Sequence, residues 1–363
     1  MCQRRWPGWH VVPTEPRIVV LGGGIAGAAT AFGLIRRGAM VTVVDAGLPG
    51  QATAAGAGIV QPWSTEREGE FARWYAEGAE FYPELLSRLT GLGAGDIGYR
   101  RNGSLIVDAD AEVLAAVAER VARRSAGSVV AGQLRMLTPA EARQHFPPLA
   151  DGLAAVWISG GARVDGRLLR DALLAAVRQL GGSVVTGRGE LDGAQVSVDQ
   201  HVLPADAVVV AAGAWTPQLL ARQQVSVPVQ PQRGQIVHVH VDADTSGWPS
   251  VVPPGDHYLV AFDHGRVAVG ATRESGTGLD ARITAGGIRS VLDKAIAVAP
   301  GLAEATVGEI RVGLRPLPTT DLPVLGSLPG LPPNVFVCTG FGAAGLTMGP
   351  LLGDRLARQI LGN

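Results

Sequence analysis

Lysine is almost absent from this chain: Lys294 is its single copy, and arginine supplies the rest of the positive charge. Charged residues make up 17% of the 363 residues and the formal net charge is −1, so no basic surface for nucleic acid is indicated. Cysteine is equally scarce, since only Cys2 and Cys338 occur. They suggest no disulfide framework, and the sequence therefore predicts a protein of the reducing cytoplasm.

Long apolar runs are missing as well. No segment reaches the roughly 18 apolar residues that a membrane span requires. Residues 1–16 have neither the apolar core nor the cleavage site of a signal peptide, and we predict a flexible extension there. Glycine, in contrast, is abundant, with 50 copies in a composition that is 47% hydrophobic. Such a composition indicates a compact, loop-rich globular protein, and the length suits two interleaved domains.

The segment from Gly22 to Gly27 fits the pattern G-x-G-x-x-G, directly after a short apolar strand and before an alanine-rich helix. Gly22 permits the tight turn, Gly24 lets the backbone approach a pyrophosphate, and Gly27 lets helix and strand pack closely. Asp45 lies 18 residues beyond Gly27, at the end of the next strand, where a carboxylate can accept a hydrogen bond from a ribose hydroxyl. This pattern predicts an FAD or NAD site rather than an NADP site.

Two later segments favour FAD over NAD. Residues 206–213 form an apolar strand that runs into Ala211, Ala212 and Gly213, where small residues let the backbone pass close to a nucleotide. Residues 335–345 repeat this plan, with Gly340 and Gly342 before a helix. The positive end of that helix could face the part of a flavin where negative charge gathers on reduction.

The order of predicted elements indicates an α/β protein with mixed segments inserted twice. We expect an FAD-binding, Rossmann-like doubly wound domain from residues 17–95, 146–225 and 310–363. A substrate-binding domain of α+β type, on a mixed or antiparallel sheet, is expected from residues 96–145 and 226–309. The main predicted strands are 17–21, 40–44, 104–107, 183–185, 207–211 and 335–338, and the main helices are 66–90, 109–126, 166–180, 284–299 and 346–361.

Over nearly all of residues 17–363, the chain resembles the D-amino acid oxidase and glycine oxidase family of flavoproteins, most closely its glycine oxidase branch. The resemblance rests on Gly22 to Gly27 with Asp45, on residues 51–58, on residues 208–215, and on residues 311–316 with 321–326. It implies that Arg315 pairs with the substrate carboxylate, a role that suits the guanidinium fork, and that Tyr258 assists it. The cofactor contacts expected from the strand patterns and the resemblance are Gly22, Gly24, Ile25, Ala26, Gly27, Asp45, Ala46, Gln51, Ala52, Thr53, Ala57, Gly58, Ile59, Ala212, Gly213, Trp215, Arg315, Gly340, Phe341, Gly342, Ala344, Gly345, Leu346 and Thr347.

Three positions depart from the glycine oxidase pattern, namely Asp256, Arg273 and Ala343. The small Ala343 leaves more room than glycine needs, and Arg273 is either a solvated loop residue or a partner for an anionic substrate group. We therefore hypothesise a bulkier substrate, a glycine substituted on nitrogen, with Gln61 and His257 completing the pocket. His238 and His240 share a strand face, but without clustered cysteines or acids we interpret them as ordinary sheet residues and expect no metal site.

The reaction that the resemblance implies is hydride transfer from the substrate Cα to N5 of a noncovalently bound FAD. The imine would hydrolyse to glyoxylate and an amine, and O₂ would be reduced to H₂O₂. No cysteine near Arg315 or Thr319 could anchor the flavin. Two alternatives stay open: a D-amino acid dehydrogenase that uses a quinone or another acceptor, and a flavin-binding subunit without catalysis. The sequence also leaves a homo-oligomer open.

Overall fold

The computed structural model describes residues 15–362, so most of the extension predicted for residues 1–16 lies outside the described residues. The strands, in chain order, are β1 (Arg17–Leu21), β2 (Met40–Asp45), β3 (Ile59–Val60), β4 (Ser104–Asp108), β5 (Leu134–Leu137), β6 (Ala154–Ile158), β7 (Ala162–Arg163), β8 (Ser183–Thr186), β9 (Gly189–Asp192), β10 (Gln195–Val198), β11 (His201–Leu203), β12 (Ala207–Val210), β13 (Val229–His240), β14 (Ser250–Val252), β15 (Tyr258–Ala261), β16 (Arg266–Gly270), β17 (Glu274–Ser275), β18 (Thr306–Pro318), β19 (Val324–Gly326) and β20 (Val335–Thr339).

The helices are α1 (Ile25–Ile35), α2 (Ala52–Ala55), α3 (Gly69–Thr90), α4 (Ala111–Ser125), α5 (Pro139–His145), α6 (Gly166–Gln179), α7 (Thr216–Leu219), α8 (Ala285–Val298) and α9 (Gly345–Leu361). Helix-capping residues explain several of these starts. Asp110 and Asp165 accept backbone N–H groups at the beginning of α4 and α6, and Thr138 forms a capping box with Glu141 at α5. The main strands and helices predicted from the sequence are confirmed, with end points that shift by a few residues at most.

The first sheet carries the nucleotide-binding half of the molecule. Its strand order is β19-β20-β12-β1-β2-β8, and all neighbours are parallel except β19 and β20. From β1 the chain continues to β2 on one side, whereas β12 pairs with the other side of β1. The carboxyl ends of β1 and β12 therefore flank a topological switch point, where doubly wound sheets bind ligands. The predicted Rossmann-like domain is confirmed.

The second sheet has the order β17-β13-β16-β15-β14-β4-β6-β5, with β18 along the free side of β13. Its pairs are antiparallel except for β4 with β14. This is the mixed sheet that the sequence predicts for the substrate domain. Helices α4, α5 and α8 pack against it. Two smaller sheets, β9-β10-β11 and β3-β7, lie beside these.

Strand pairing differs from the predicted domain boundaries at two places. Strand β6 lies within residues 146–225, and most of β18 lies within residues 310–363, yet both strands belong to the second sheet. The reason is that β6 pairs with β4 and β5, and β18 pairs along nearly the whole of β13. Partners so distant in sequence are set by tertiary packing, not by the local alternation of residues. The division into two domains stays a prediction.

Small residues let the helices on the first sheet pack closely. In α1 every residue from Ile25 to Leu34 is buried. A Cβ added at Gly353 of α9 would lie 2.8 Å from the backbone nitrogen of Thr30, and one added at Gly33 would lie 2.8 Å from Cβ of Ala357. These contacts fix α1, which follows the turn after β1, and α9, which follows the turn after β20. Both turns are therefore held at one cavity.

Candidate flavin and substrate site

The turn after β1 is shaped by glycines. Gly22 has φ +111°, and a side chain there would collide with the carbonyl oxygen of Ala211. A side chain at Gly27 would collide with the carbonyl oxygen of Gly22. The first N–H of α1, at Ile25, donates to Thr53 Oγ1 at 2.9 Å, which ties residues 51–58 to the same turn. The backbone therefore forms a cradle at a helix N-terminus, which suits a pyrophosphate.

Asp45 holds the next element of the cradle. Its carboxylate accepts hydrogen bonds from Gly23 N (2.5 Å), Gly47 N (2.7 Å) and Gln51 Nε2 (2.9 Å). Gln51 in turn accepts a hydrogen bond from Arg170 at 3.0 Å. A carboxylate has about four acceptor positions, so one remains for a ribose hydroxyl. The donors thus orient Asp45 toward the cavity without exhausting it.

The two other strand ends close the cradle. Beyond β12, Ala212 and Gly213 face the cavity, and Thr339 Oγ1 at the end of β20 donates to the Gly213 carbonyl at 3.1 Å. Gly342, Ala343 and Gly345 follow β20 and lead into α9. The residues that lead into α9 are small. Space is limited beside Leu346, the next residue, because a side chain at Gly56 would meet its Cδ1 at 2.7 Å. The cradle fits FAD: α1 would hold the pyrophosphate and Asp45 the ribose, as the sequence predicts, with the start of α9 toward the flavin.

These segments surround one cavity of about 1040 Å³, large enough for a dinucleotide and a small substrate together. Of the residues predicted to contact cofactor or substrate, most line it: Gly22, Gly24, Ile25, Ala26, Asp45, Ala46, Gln51, Ala52, Thr53, Ala57, Gly58, Ile59, Gln61, Ala212, Gly213, Trp215, Asp256, Tyr258, Arg273, Arg315, Phe341, Gly342, Ala343, Gly345 and Leu346. Gly27, His257, Gly340, Ala344 and Thr347 lie behind this surface and are not among the lining residues.

Arg315 reaches the cavity from β18 because the opposite strand leaves room for it. The guanidinium lies over Gly234 of β13, where an added Cβ would be 2.5 Å from Arg315 Cζ. Its Nη1 donates to the Thr272 carbonyl at 3.0 Å, and the Tyr258 hydroxyl is close enough to affect the electrostatics of the guanidinium. Burial lowers the pKa of Arg315, although the phenol of Tyr258 partly opposes this. Among residues 15–362 no ion pair joins Arg315 to a carboxylate.

Tyr258 stands at the start of β15, opposite Gly270 of β16. Burial raises the pKa of Tyr258 and the guanidinium of Arg315 acts against that rise, so the hydroxyl stays protonated at neutral pH and can donate a hydrogen bond. The partly buried cation and the neighbouring hydroxyl together form a site for an anion, because a carboxylate can accept from both. The structure thus brings together two residues that the sequence places far apart.

Arg273 and Asp256, two of the three departures from the glycine oxidase pattern, bind each other. Arg273 Nε lies 2.9 Å from Asp256 Oδ1, and the side chains are 39% and 60% exposed. Both line the cavity. Arg273 also perturbs the pKa of Arg315 and of Tyr258, which places its charge beside theirs. Arg273 is therefore neither free in solvent nor buried: it is a cation at the cavity rim, held by a partner that solvent can replace.

Gln61 presents an unpaired amide to the cavity. The residue is 5% exposed and its Oε1 accepts a hydrogen bond from Ser64 Oγ at 2.9 Å. Its Nε2 has no partner among the described residues. An unpaired buried amide costs free energy, so a ligand atom is the natural acceptor.

His257 immediately precedes β15 and does not line the cavity, although its neighbour Tyr258 does. It is 5% exposed, and burial followed by the charge of Lys294 lowers its pKa to about 4, so it is neutral at pH 7. The predicted place of His257 in the substrate pocket is therefore wrong. Burial also raises the pKa of the Cys338 thiol to about 12, which keeps that cavity-lining cysteine protonated.

Several residues that line the cavity were not predicted from the sequence. Residues 187–190, in the turn after β8 and the first residues of β9, line the cavity on the side of Asp45, and Gly187 N donates to the Asp45 carbonyl. Gly234 clears the space for Arg315, and a lone glycine in an alternating strand is a known sign of close approach. Helix α4 also contributes residues to the cavity. Nothing in its amphipathic pattern distinguishes a cavity-lining side from a core-facing one.

Other parts of the described chain add no second centre. His238 interacts with Arg266 at 3.3 Å, and burial together with the charges of Arg311 and Arg266 lowers its pKa to about 3. Within residues 15–362 there is no cluster of three or more histidine, cysteine or acidic side chains suited to a metal ion. None of the helices in this range combines the length and apolarity that crossing a bilayer would demand.

A glycine-lined dinucleotide cradle that opens onto a partly buried arginine and tyrosine defines a flavoprotein oxidoreductase of amines or amino acids. The chain belongs to the DAO family, described as FAD dependent oxidoreductase, whose family model matches residues 17–359. This confirms the resemblance found in the sequence, and with it the FAD cofactor. Membership of this family of FAD-dependent enzymes excludes NAD as the cofactor of the glycine-rich site.

Individual relatives are similar along almost the whole chain. The "Uncharacterized oxidoreductase YurR" of Bacillus subtilis (strain 168) is 44% identical, over 95% of this chain and 94% of the relative. The glycine oxidase of Pseudomonas putida is 32% identical, with 86% of each chain covered. Among solved structures, iminodiacetate oxidase (IdaA) from Chelativorans sp. BNC1 superposes with a TM-score of 0.92 at 42% identity, covering 96% of each chain. Glycine oxidase from Geobacillus kaustophilus gives a TM-score of 0.84 at 27% identity.

Proposed function

We propose that this enzyme oxidises the carbon–nitrogen bond of an N-substituted glycine, releasing glyoxylate and an amine. The observation that carries the proposal is the partly buried guanidinium of Arg315, which faces the cavity beside Tyr258 and has no ion pair with a carboxylate among the described residues. A partly desolvated cation without a counter-ion is costly. The carboxylate of a glycine unit supplies the missing partner, and the guanidinium fork can hold it by two hydrogen bonds.

FAD bound in the cradle supplies the two-electron acceptor for this oxidation. The work of the protein is orientation: Arg315 and Tyr258 fix the carboxylate, so that the adjacent carbon is presented to the cofactor in one pose. Charge in the pocket also acts on the amine. Two neighbouring guanidinium groups, Arg315 and Arg273, disfavour an ammonium and so favour the uncharged amine, whose lone pair can stabilise the positive charge that develops on carbon. No side-chain base is needed in this scheme.

A substituent on nitrogen is favoured by the space at the pocket. Ala343 lines the cavity with a methyl group only, and Arg273 stands at the rim with an exposed partner, Asp256. The relative named iminodiacetate oxidase acts on such a compound, since iminodiacetate is glycine with a carboxymethyl group on its nitrogen. The glycine oxidases share less of the sequence. This contrast supports an N-substituted glycine over glycine itself.

The test is a substrate comparison with the purified, FAD-loaded enzyme in the absence of oxygen. Glycine, N-methylglycine, iminodiacetate and D-alanine are mixed with the enzyme in turn, and bleaching of the flavin absorbance is followed in time. We expect faster bleaching at lower concentration with the N-substituted glycines, and glyoxylate as the product. Preference for glycine or D-alanine would overturn the proposal.

Oxygen as the electron acceptor is part of the proposal and needs its own measurement. After substrate has reduced the flavin, air is admitted and the return of the yellow colour is timed together with H₂O₂ formation. We expect one H₂O₂ for each glyoxylate formed. Slow reoxidation by air, combined with fast reoxidation by a soluble quinone, would instead favour a dehydrogenase.

A further inference from the structure

The cavity does not end at Arg315 and Tyr258. It continues into a groove whose one wall is formed by Ile106 of β4, Val252 of β14, and Leu114 and Val117 of α4. Because β4 and β14 are parallel neighbours with Ile106 opposite Val252, the two strands present these side chains side by side. Leu114 and Val117, one helical turn apart, lie on one face of α4. We name these four residues the apolar wall.

The opposite wall is the loop after β3. Ser64 lines it, and the Ser64 carbonyl accepts a hydrogen bond from Arg120 Nε of α4 at 3.0 Å. Ser64 Oγ is already used by Gln61. The hydrogen bond from Arg120 joins the two walls and fixes the width of the groove. The polar groups that face the groove here are thus largely paired with each other, and a ligand would meet mainly hydrocarbon.

Apart from Arg120, which bridges the two walls, the charged groups described here stand toward the outer end. Asp108, Glu66 and Arg67 line the rim together with Val113, whose side chain is 44% exposed although it is a valine. The rim carries charges of both signs, so it favours neither an anionic nor a cationic ligand group. A glycine or an iminodiacetate has no atoms to place along the apolar wall, so the groove is unexplained by the smallest substrates.

We propose that this groove binds the substituent on the substrate nitrogen, and that the substituent is an aliphatic arm of several carbons. The inference rests on the proposed function, because it takes the glycine unit to be held by Arg315 and Tyr258. The arm then extends from the nitrogen along the apolar wall toward Val113. Each methylene buried against hydrocarbon lowers the dissociation constant by about fourfold, which predicts a steep dependence of affinity on arm length.

The experiment measures flavin bleaching without oxygen in the FAD-loaded enzyme with a series of N-alkyl glycines, from N-methyl through N-propyl to N-pentyl. The apparent dissociation constant should fall by about fourfold per added methylene over the first few carbons. The variants Val117→Phe and Val252→Phe fill the groove from two elements. Each should abolish the length dependence while leaving N-methylglycine within about twofold of wild type.

Ala116→Phe is the matched control, because Ala116 is exposed on another face of the same helix and does not line the cavity. If the filled variants fold poorly, Val113→Glu tests the same idea at the exposed rim and should weaken N-pentylglycine at least fivefold more than N-methylglycine. Bleaching by N-methylglycine without any length dependence would overturn the groove proposal alone. No bleaching by any member of the series would overturn the proposed function, and the groove proposal with it.

Discussion

Replacement of Arg315 by lysine is the sharpest test of how the substrate is held. The structure gives the guanidinium one carbonyl acceptor, Thr272, and one hydroxyl neighbour, Tyr258, and leaves the rest of its fork for a substrate carboxylate. Lysine keeps the charge but loses the fork, so one charge-assisted hydrogen bond, worth about 1.5–3 kcal/mol, is lost. We expect kcat/KM for N-methylglycine to fall by about 10- to 150-fold, since each 1.4 kcal/mol is roughly a factor of ten.

The assay separates binding from the chemical step. Stopped-flow bleaching of the flavin without oxygen gives the substrate dissociation constant and the limiting rate of reduction. Since Arg315 fixes the pose as well as the affinity, both should worsen, whereas the flavin spectrum and the amount of bound FAD should be unchanged. Titration with acetate, a carboxylate that cannot be oxidised at a CH–NH bond, should show the same loss of affinity.

Arg311→Lys is the matched control. Arg311 lies on the same strand, an even number of residues away and therefore on the same face, but its guanidinium binds Glu309 at 2.7 Å and does not line the cavity. We expect its kinetics to stay within about threefold of wild type, because a half-exposed ion pair contributes only about 0.2–1 kcal/mol. If Arg315→Lys lost no more activity than Arg311→Lys, with FAD retained in both, Arg315 would not bind the substrate.

Three further perturbations follow from the same contacts. Asp45→Ala removes an acceptor of three protein hydrogen bonds, so FAD affinity measured by ultrafiltration should fall at least tenfold; retention of the yellow colour at nanomolar protein would contradict this. Asp256→Asn releases Arg273, and KM should fall by about two- to fivefold for iminodiacetate and less for N-methylglycine; equal changes would rule out a role for Arg273 with a second acid. Asp354→Asn leaves Arg37 and Arg88 without their buried carboxylate and should destabilise the fold by about 2–4 kcal/mol in urea unfolding at pH 7. Burial raises the pKa of Asp354, but Arg37 and its neighbours outweigh this and lower it, so the wild-type advantage should disappear as pH falls below the ordinary carboxyl value of about 3.9; an advantage that persisted at low pH would refute the ion-pair explanation.

The sequence by itself determined the nucleotide-binding half of the site. The glycines from Gly22 to Gly27, the helix behind them and Asp45 lie within one βαβ unit, so their relative placement follows from local geometry. The resemblance carried by residues 311–316 also pointed to Arg315 and, less directly, to Tyr258. Both line the cavity in the structure, whereas their roles toward substrate stay predictions.

Only the tertiary structure decided which side chains meet. The clearance that Gly234 gives Arg315, the ion pair of Arg273 with Asp256, and the groove beside α4 join segments that are distant in sequence. Each depends on strand register, and a slip of one residue would turn every side chain of a strand to the opposite face. The same dependence put β6 and β18 into the second sheet. Register is fixed by packing across the whole molecule, and for that reason no local pattern in the chain reveals it.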